Sequence, residues 1–221
     1  MIKLLIFDLD GTIADTIEAI ANGLNLTMKN YGFPTHDCDT VRAMVGNGAR
    51  NLVFKACPEG VFSDNEAFFE EVYKNYCDMY AITYLDTKTC YDGMGEAMRT
   101  LKDRGYTLAV LSNKQDPFTK GIVAQLFDDD TISFVQGQTE LPLKPDPTVP
   151  LLIASSLGFE PFEVAFIGDS DVDVLTGKNS GFTSVAVSWG YRDRDALASL
   201  SPDYMADKPC ELTEIFEEIN K

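Results

Sequence analysis

Five short apolar runs are spaced along the chain: Leu4–Phe7, Leu108–Leu111, Ile132–Val135, Val164–Ile167 and Ser184–Val187. Each is rich in Val, Ile, Leu or Phe and runs into polar or glycine residues. Runs of this length without polar alternation suit strands buried on both faces, as in a parallel sheet. Helical patterns separate the last four runs. Asp116-Pro117 reads as an N-cap followed by proline at the first helical position. Pro147 to Leu157 stops at Gly158, and Asp171 to Ser180 stops at Gly181, each a C-cap signal. Leu212, Ile215, Phe216 and Ile219 share one face of a last helix. Strand and helix in alternation predict an α/β fold with a doubly wound parallel sheet, Rossmann-like in layout.

The interval between the first two runs differs. From about Asp15 to Tyr91 the pattern is helical throughout. Asp15 with Glu18 resembles a capping box ahead of a stripe of Ile20, Leu24, Met28 and Tyr31. Ser63 with Glu66 repeats the signal ahead of Phe69, Val72, Tyr73, Tyr76 and Tyr80, a stripe that reads as helical core rather than a substrate platform. A crossover needs only about a dozen residues. The excess predicts a helical cap domain, 15–91, inserted into an α/β core made of 1–14 and 92–221.

Composition changes this picture little. Of 221 residues, 45% are hydrophobic and 24% charged, which is ordinary for a folded chain. Charge changes it more: 35 Asp plus Glu against 18 Lys plus Arg leave a net charge of −17. Such a surface disfavours nucleic acid and anionic membranes, and an anionic substrate would need a local cation to draw it in. Five cysteines without a C-x-x-C pair fit free thiols in a reducing cytoplasm. The apolar start, Met1 to Phe7, stops at Asp8, too short for a signal-peptide core or a membrane span. The expectation is a cytoplasmic monomer or homodimer.

In open α/β sheets ligands bind beyond the carboxyl ends of the strands. Asp8-Leu9-Asp10-Gly11-Thr12 follows the first run, Ser112-Asn113-Lys114 the second, and Gly168-Asp169-Ser170-Asp171-Val172-Asp173 the fourth; Lys144 lies between the third and fourth. If these loops converge, Asp8, Asp10, Asp169 and Asp173 crowd one crevice. Packed carboxylates repel, and a hard divalent cation such as Mg²⁺ relieves the repulsion. Taken singly, Ser112 reads as a turn cap, Lys144 as a loop lysine, and Asp171 as a solvated helix residue. His36 reads as surface, and Asp128-Asp129-Asp130 as a solvated loop.

In order and spacing, these segments resemble the four motifs of the haloacid dehalogenase superfamily, D-x-D-G-T first among them. The long helical insert resembles the family's first cap type. Gly46-Asn47-Gly48-Ala49-Arg50-Asn51-Leu52 and the tail with Trp189-Gly190-Tyr191 and Pro202-Asp203-Tyr204 resemble phosphoglycolate phosphatase-like members. The resemblance implies a Mg²⁺-dependent phosphatase for a small phosphorylated metabolite. Asp8 would be the nucleophile that forms an aspartyl-phosphate. Asp10 would be general acid and then base, with its carbonyl on the metal. Thr12 would position the phosphoryl group or Asp10. Ser112 and the next backbone N–H, at Asn113, would bind phosphoryl oxygens beside the Gly11 turn, and Lys144 would neutralise charge. The metal set would be Asp8, Asp10, Asp169 and, through water, Asp173.

For the cap, two readings stand. Gly46, Asn47, Gly48 and Arg50 contact substrate, Arg50 pairing with a carboxylate or second phosphate; or they form a helix-start turn with Arg50 on the surface. Phosphoglycolate is the first substrate implied, then pyrophosphate or another small phosphate. A mutase is disfavoured because β-phosphoglucomutase relatives carry Val where this chain has Thr12. A dehalogenase is disfavoured because that branch lacks the aspartate found here at Asp10. A catalytically silent binding protein would be expected to lack a core residue, and none is missing.

Overall fold

The computed structural model describes residues 1–63, 65–86, 89–128 and 130–221. Asp129 of the acidic run lies outside the described residues; Asp128 and Asp130 beside it are exposed. The strands are β1 Leu4–Phe7, β2 Thr107–Gln115, β3 Phe134–Gln138, β4 Val164–Gly168, β5 Thr183–Val187 and β6 Tyr204–Ala206. They form one six-stranded sheet in the order β3-β2-β1-β4-β5-β6, with every pair parallel. The chain builds outward from β1 to β2 and β3, then returns to β1 and builds the other way through β4, β5 and β6. Loops leaving β1 therefore separate on either side, and a crevice opens beyond its carboxyl end. Phe7 lies opposite Val110 and Ile167. Asp8, Leu111 and Gly168 thus leave the sheet at one level, with Ser112 and Asp169 one residue beyond.

Side chains alternate across the sheet, as the strand period of two requires. Leu5, Phe7, Leu108, Val110 and Ile167 face α5 Met94–Asp103 and α10 Pro209–Ile219, burying Met94, Met98, Leu101, Leu212 and Phe216. Leu4, Ile6, Ala109, Leu111 and Phe166 face the other way, with Val149 and Ile153 of α7 Thr148–Ser156. Two layers of helix explain why the strands read as continuous apolar runs. The remaining helices of this part are α6 Asp116–Leu126, α8 Asp171–Ser180 and α9 Arg194–Ser199.

Between β1 and α5 lie α1 Ile17–Asn30, α2 Cys38–Met44, α3 Gly48–Ala56 and α4 Glu66–Thr83. They bury a separate cluster in which Ile20, Leu24 and Met28 of α1 meet Leu52 and Val53 of α3 and Val72, Tyr76 and Tyr80 of α4. Each fully buried Leu, Met or Val there contributes about 1.5–3 kcal/mol.

Several local expectations change. Strand β3 begins at Phe134 rather than Ile132, because the chain is still turning: Thr131 N donates to Asp128 O, and Ser133 N to Leu108 O. Strand β6 is too short to show an apolar run. Helix α1 starts at Ile17 without the Asp15–Glu18 box; its N-cap Thr16 donates its hydroxyl to Asp10 instead. Helix α4 is capped by Asn65, whose side chain accepts from Phe68 N, and not by Ser63. In α6, Gln115 is the N-cap and Asp116 the first helical residue; Asp116 accepts from Gly137 N and pairs with Lys120. His36 is half-buried, its ring against Ala56 O at 2.8 Å and its backbone held by Asn25, a tie between α1 and α3. No helix among the described residues is long and apolar enough to cross a membrane.

Candidate active site

The turn after β1 is held by Leu9 O, which accepts from Thr12, Ile13 and Ala14 N. It sends Asp8 and Asp10 in different directions. Asp8 turns into the crevice, where Lys144 Nζ lies 2.7 Å from Asp8 Oδ1 and 2.7 Å from Asp173 Oδ1. All three side chains are buried, with no more than 10% exposure. Burial pushes the Asp8 carboxyl up to about 7, against the pull of Lys144 and with the help of Asp173 and Asp10. For Lys144, burial alone would favour loss of the proton, but Asp173 and Asp8 outweigh it and hold the ammonium charged.

Asp173 sits in the first turn of α8, where the helix dipole favours an anion. Its Oδ2 accepts from Ser170 N and Ser170 Oγ, and Ser170 Oγ accepts from Asp173 N, so a reciprocal capping box fixes its side chain. Asp169, at the end of β4, is 1% exposed. Its Oδ1 accepts from Thr12 Oγ1 at 3.2 Å and its Oδ2 from Tyr191 N at 2.6 Å. Burial, then Asp173 and Asp8, drive its carboxyl well above the ordinary range. Two glycines make room for it. At Gly11, with φ +87°, a Cβ would stand 2.4 Å from Asp169 Oδ2; at Gly190 it would stand 2.3 Å from Asp169 Cβ. Any larger residue at either position would displace this carboxylate.

Asp8, Asp169 and Asp173 each offer one oxygen, all within 4.8 Å of one another. Of these three buried carboxylates only Asp8 and Asp173 hold an ammonium, that of Lys144, and Asp8 and Asp169 are pushed toward protonation. That excess of hard oxygen donors fits a divalent cation of the Mg²⁺ type. Asp10 stands apart from this group: its Oδ1 accepts from Thr16 Oγ1 at 2.5 Å, and Lys114 Nζ lies 2.8 Å from both of its oxygens.

The crevice opens into a pocket closed on the far side by α1, α3 and α4. Asp8, Asp10, Ser112, Asn113, Lys144, Asp169 and Asp173 line it, as do Gly46 and Gly48. Thr12, Asn47 and Arg50 do not line it. Thr12 is buried against Asp169 rather than the phosphoryl position or Asp10; Thr16 is the residue that holds Asp10. The Asn113 side chain is taken up by protein: Oδ1 accepts from Lys144 N, and Nδ2 donates to Lys144 O and Gly46 O. Asn47 is exposed at the start of α3. Arg50 faces outward, forked onto the Glu70 carboxylate with its guanidinium 4.9 Å from the Phe69 and Tyr73 rings. Rotation about α3 separates its two faces: Gly48, Ala49 and Leu52 line the pocket, and Arg50 looks out.

The sequence reading left other wall residues without a role. Lys114 directly follows Ser112-Asn113 and lines the pocket with them. Tyr191 and Arg192 come from the tail after β5. Arg192 donates to Val45 O and Arg42 O at the end of α2, tying that helix to the sheet side. Tyr76 and Tyr80, the carboxyl half of the aromatic stripe, are core and pocket wall at once. Only the tertiary fold brings α4 over β2.

The profile of the family described as haloacid dehalogenase-like hydrolase matches residues 5–187. A phosphoglycolate phosphatase of Chromobacterium violaceum is 30% identical over 200 residues, covering 90% of each chain. One of Psychrobacter arcticus is 31% identical over 205 residues, covering 90% of this chain and 89% of that one. The crystal structure of a predicted phosphoglycolate phosphatase from Haemophilus somnus superposes with a TM-score of 0.88 at 26% identity, over 97% of this chain and 98% of that one. The chain thus belongs to the haloacid dehalogenase-like hydrolases, as a phosphoric monoester hydrolase of the phosphoglycolate phosphatase-like branch.

Proposed function

We propose that the chain hydrolyses a small phosphate monoester, phosphoglycolate first among them, through an aspartyl-phosphate on Asp8. One observation carries this reading: a buried carboxylate at the end of β1, held by Lys144 and backed by two further buried carboxylates, at the crevice where the strand order reverses. An Asp8 oxygen attacks phosphorus and the ester oxygen leaves; water then splits the acyl phosphate and restores Asp8. Asp10, two residues on, gives a proton to the leaving oxygen and takes one from the water. Lys144 keeps an Asp8 oxygen fixed and offsets charge on the transferring group. Ser112 supplies a hydroxyl on the wall beside Asp8. Asp169, Asp8 and Asp173 would hold Mg²⁺, with a carbonyl from Asp10. When bound, the ion offsets the charge of the phosphoryl oxygens and of these carboxylates.

Residues 15–91 act in this reading as a cap over a core of 1–14 and 92–221; their separate hydrophobic cluster supports it. The partner is a small phosphorylated metabolite, not nucleic acid or membrane, and the chain works as a cytoplasmic monomer or homodimer. Five unpaired cysteines and the net charge of −17 favour that setting. The test is phosphate release with Mg²⁺ from phosphoglycolate, pyrophosphate, sugar phosphates, nucleotides and an aryl phosphate, with Asp8→Asn alongside. One strongly preferred compound, inert with the variant, supports the reading. Silence of the wild type across the panel, or equal activity of the variant, refutes it.

A further inference from the structure

The chemistry on Asp8 accounts for one end of the substrate. The pocket extends past it, and two groups on its wall take no direct part in that chemistry. The first is a cation. Among the described residues lining the pocket, the cationic side chains are Lys144, Arg192 and Lys114. Lys144 is fixed between Asp8 and Asp173, and Arg192 is committed to carbonyls at the end of α2. Lys114 is the third: 7% exposed, bonded to both oxygens of Asp10, its Nζ 4.9 Å from the centre of the Tyr80 ring.

The second is a donor. Tyr80 is 2% exposed and lines the pocket, yet its hydroxyl has no hydrogen-bond partner among the described residues. Buried hydroxyls without a partner are rare, because each has given up water for nothing. Burial, with Asp10 and Tyr84 adding to it, keeps the phenol protonated well above its usual range, so it remains a donor. Around this pair the wall is apolar, with Ile20, Leu52 and Phe118.

We propose that Lys114 and Tyr80 form a subsite for a second anionic group of the substrate, a carboxylate two bonds from the ester oxygen. The inference rests on the phosphatase reading of the same pocket and adds the residues that would recognise the carboxylate. Asp10 serves the leaving oxygen, and Lys114 is bonded to Asp10, so a carboxylate on the next carbon falls within reach of the ammonium. The Tyr80 hydroxyl then donates to that carboxylate and gains the acceptor it lacks. On a protein of net charge −17 this ammonium also gives the carboxylate end a local partner. A leaving group without the carboxylate would leave the hydroxyl unpaired.

Two ligands that differ in the carboxylate, 2-phosphoglycolate and ethyl phosphate, test this. Both are titrated calorimetrically into Asp8→Asn protein, which removes turnover, with and without Lys114→Gln or Tyr80→Phe. Steady-state rates are measured in the Asp8 background. The ratio of affinities for the two ligands should fall about tenfold or more with Lys114→Gln and severalfold with Tyr80→Phe, as expected for losing a charge-assisted and a neutral hydrogen bond. The loss should lie in KM for 2-phosphoglycolate, and Lys114→Arg should restore part of it. Because the hydroxyl is unpartnered, Tyr80→Phe should not lower the Tm. An unchanged affinity ratio overturns the subsite, as does an equal fall of kcat on both compounds, which would leave Lys114 only holding Asp10. A lower Tm for Tyr80→Phe would give the hydroxyl a structural partner and remove it from the subsite. If the wild type releases phosphate from neither ligand while the ratio shifts as expected, the subsite stands and the phosphatase reading falls.

Discussion

The floor and the roof of the pocket are built on opposite plans. The floor is a set of charges at strand ends: Asp8, Asp169, Asp173 and Lys144, nearly all their polar atoms engaged by one another or by Thr12, Ser170 and Tyr191. The roof is apolar and aromatic, from Ile20, Leu52, Tyr76 and Tyr80, with Phe118 beside them. Its one buried hydroxyl left unpaired among the described residues is Tyr80's. A floor whose groups are already satisfied is preorganised for one reaction. A roof of rings sorts ligands by size and by the few polar groups it presents.

The floor should be the sensitive half. Asp8→Asn should lower kcat at least about a thousandfold while the fold is kept, because the amide is no nucleophile. Phosphate release and circular dichroism on the same sample check this; retained activity would show that another group attacks. Lys144→Ala should cost a hundredfold or more in rate. It should also destabilise the protein by about 3 kcal/mol near pH 8, since two buried carboxylates lose their shared ammonium. The loss should shrink toward pH 5, where Asp8 can take up a proton, and denaturant titration at both pH values reads it.

Metal and protons should compete for the floor. The Asp8 and Asp169 carboxyls are raised in the folded protein. Their contribution to stability is therefore present at low pH and lost as pH rises, through about 7 for Asp8. Added Mg²⁺ should raise the Tm by several degrees at pH 8 and by less at pH 5.5. Asp169→Asn should abolish most of that difference. An equal rise at both pH values would place the metal elsewhere. The smallest effect belongs to the outer face of the roof: Arg50→Ala should cost under about 1 kcal/mol, because its pair with Glu70 is largely exposed. It should change kcat/KM less than about twofold on carboxylated and aryl phosphates alike. A selective loss on the carboxylated substrate would return Arg50 to a recognition role.

The same division separates what was readable along the chain. Floor residues follow directly from buried strands, so the apolar runs that mark β1, β2 and β4 also mark where Asp8, Ser112 and Asp169 emerge. Helix α5 was not read from the sequence: Met94, Ala97, Met98 and Leu101 stand at helical spacing, but they directly follow the long helical interval and merge with it. Caps were the least readable. Thr16 and Asp116 carry cap-forming side chains, yet both spend them on distant partners, Asp10 and Gly137.

The sequence by itself determined the parallel sheet, the helical excess between β1 and β2, and the order of the charged strand ends. Apolar runs, helical stripes and breaker residues are local patterns, and burial on both faces leaves a buried strand little choice of composition. Tertiary structure alone decided which face of α3 meets the pocket, and so removed Arg50 from it. It also brought Lys114 onto Asp10 and set Tyr80 on the wall. Those placements depend on how α1, α3 and α4 pack over the sheet, where a turn of a helix by one residue exchanges an inward side chain for an outward one.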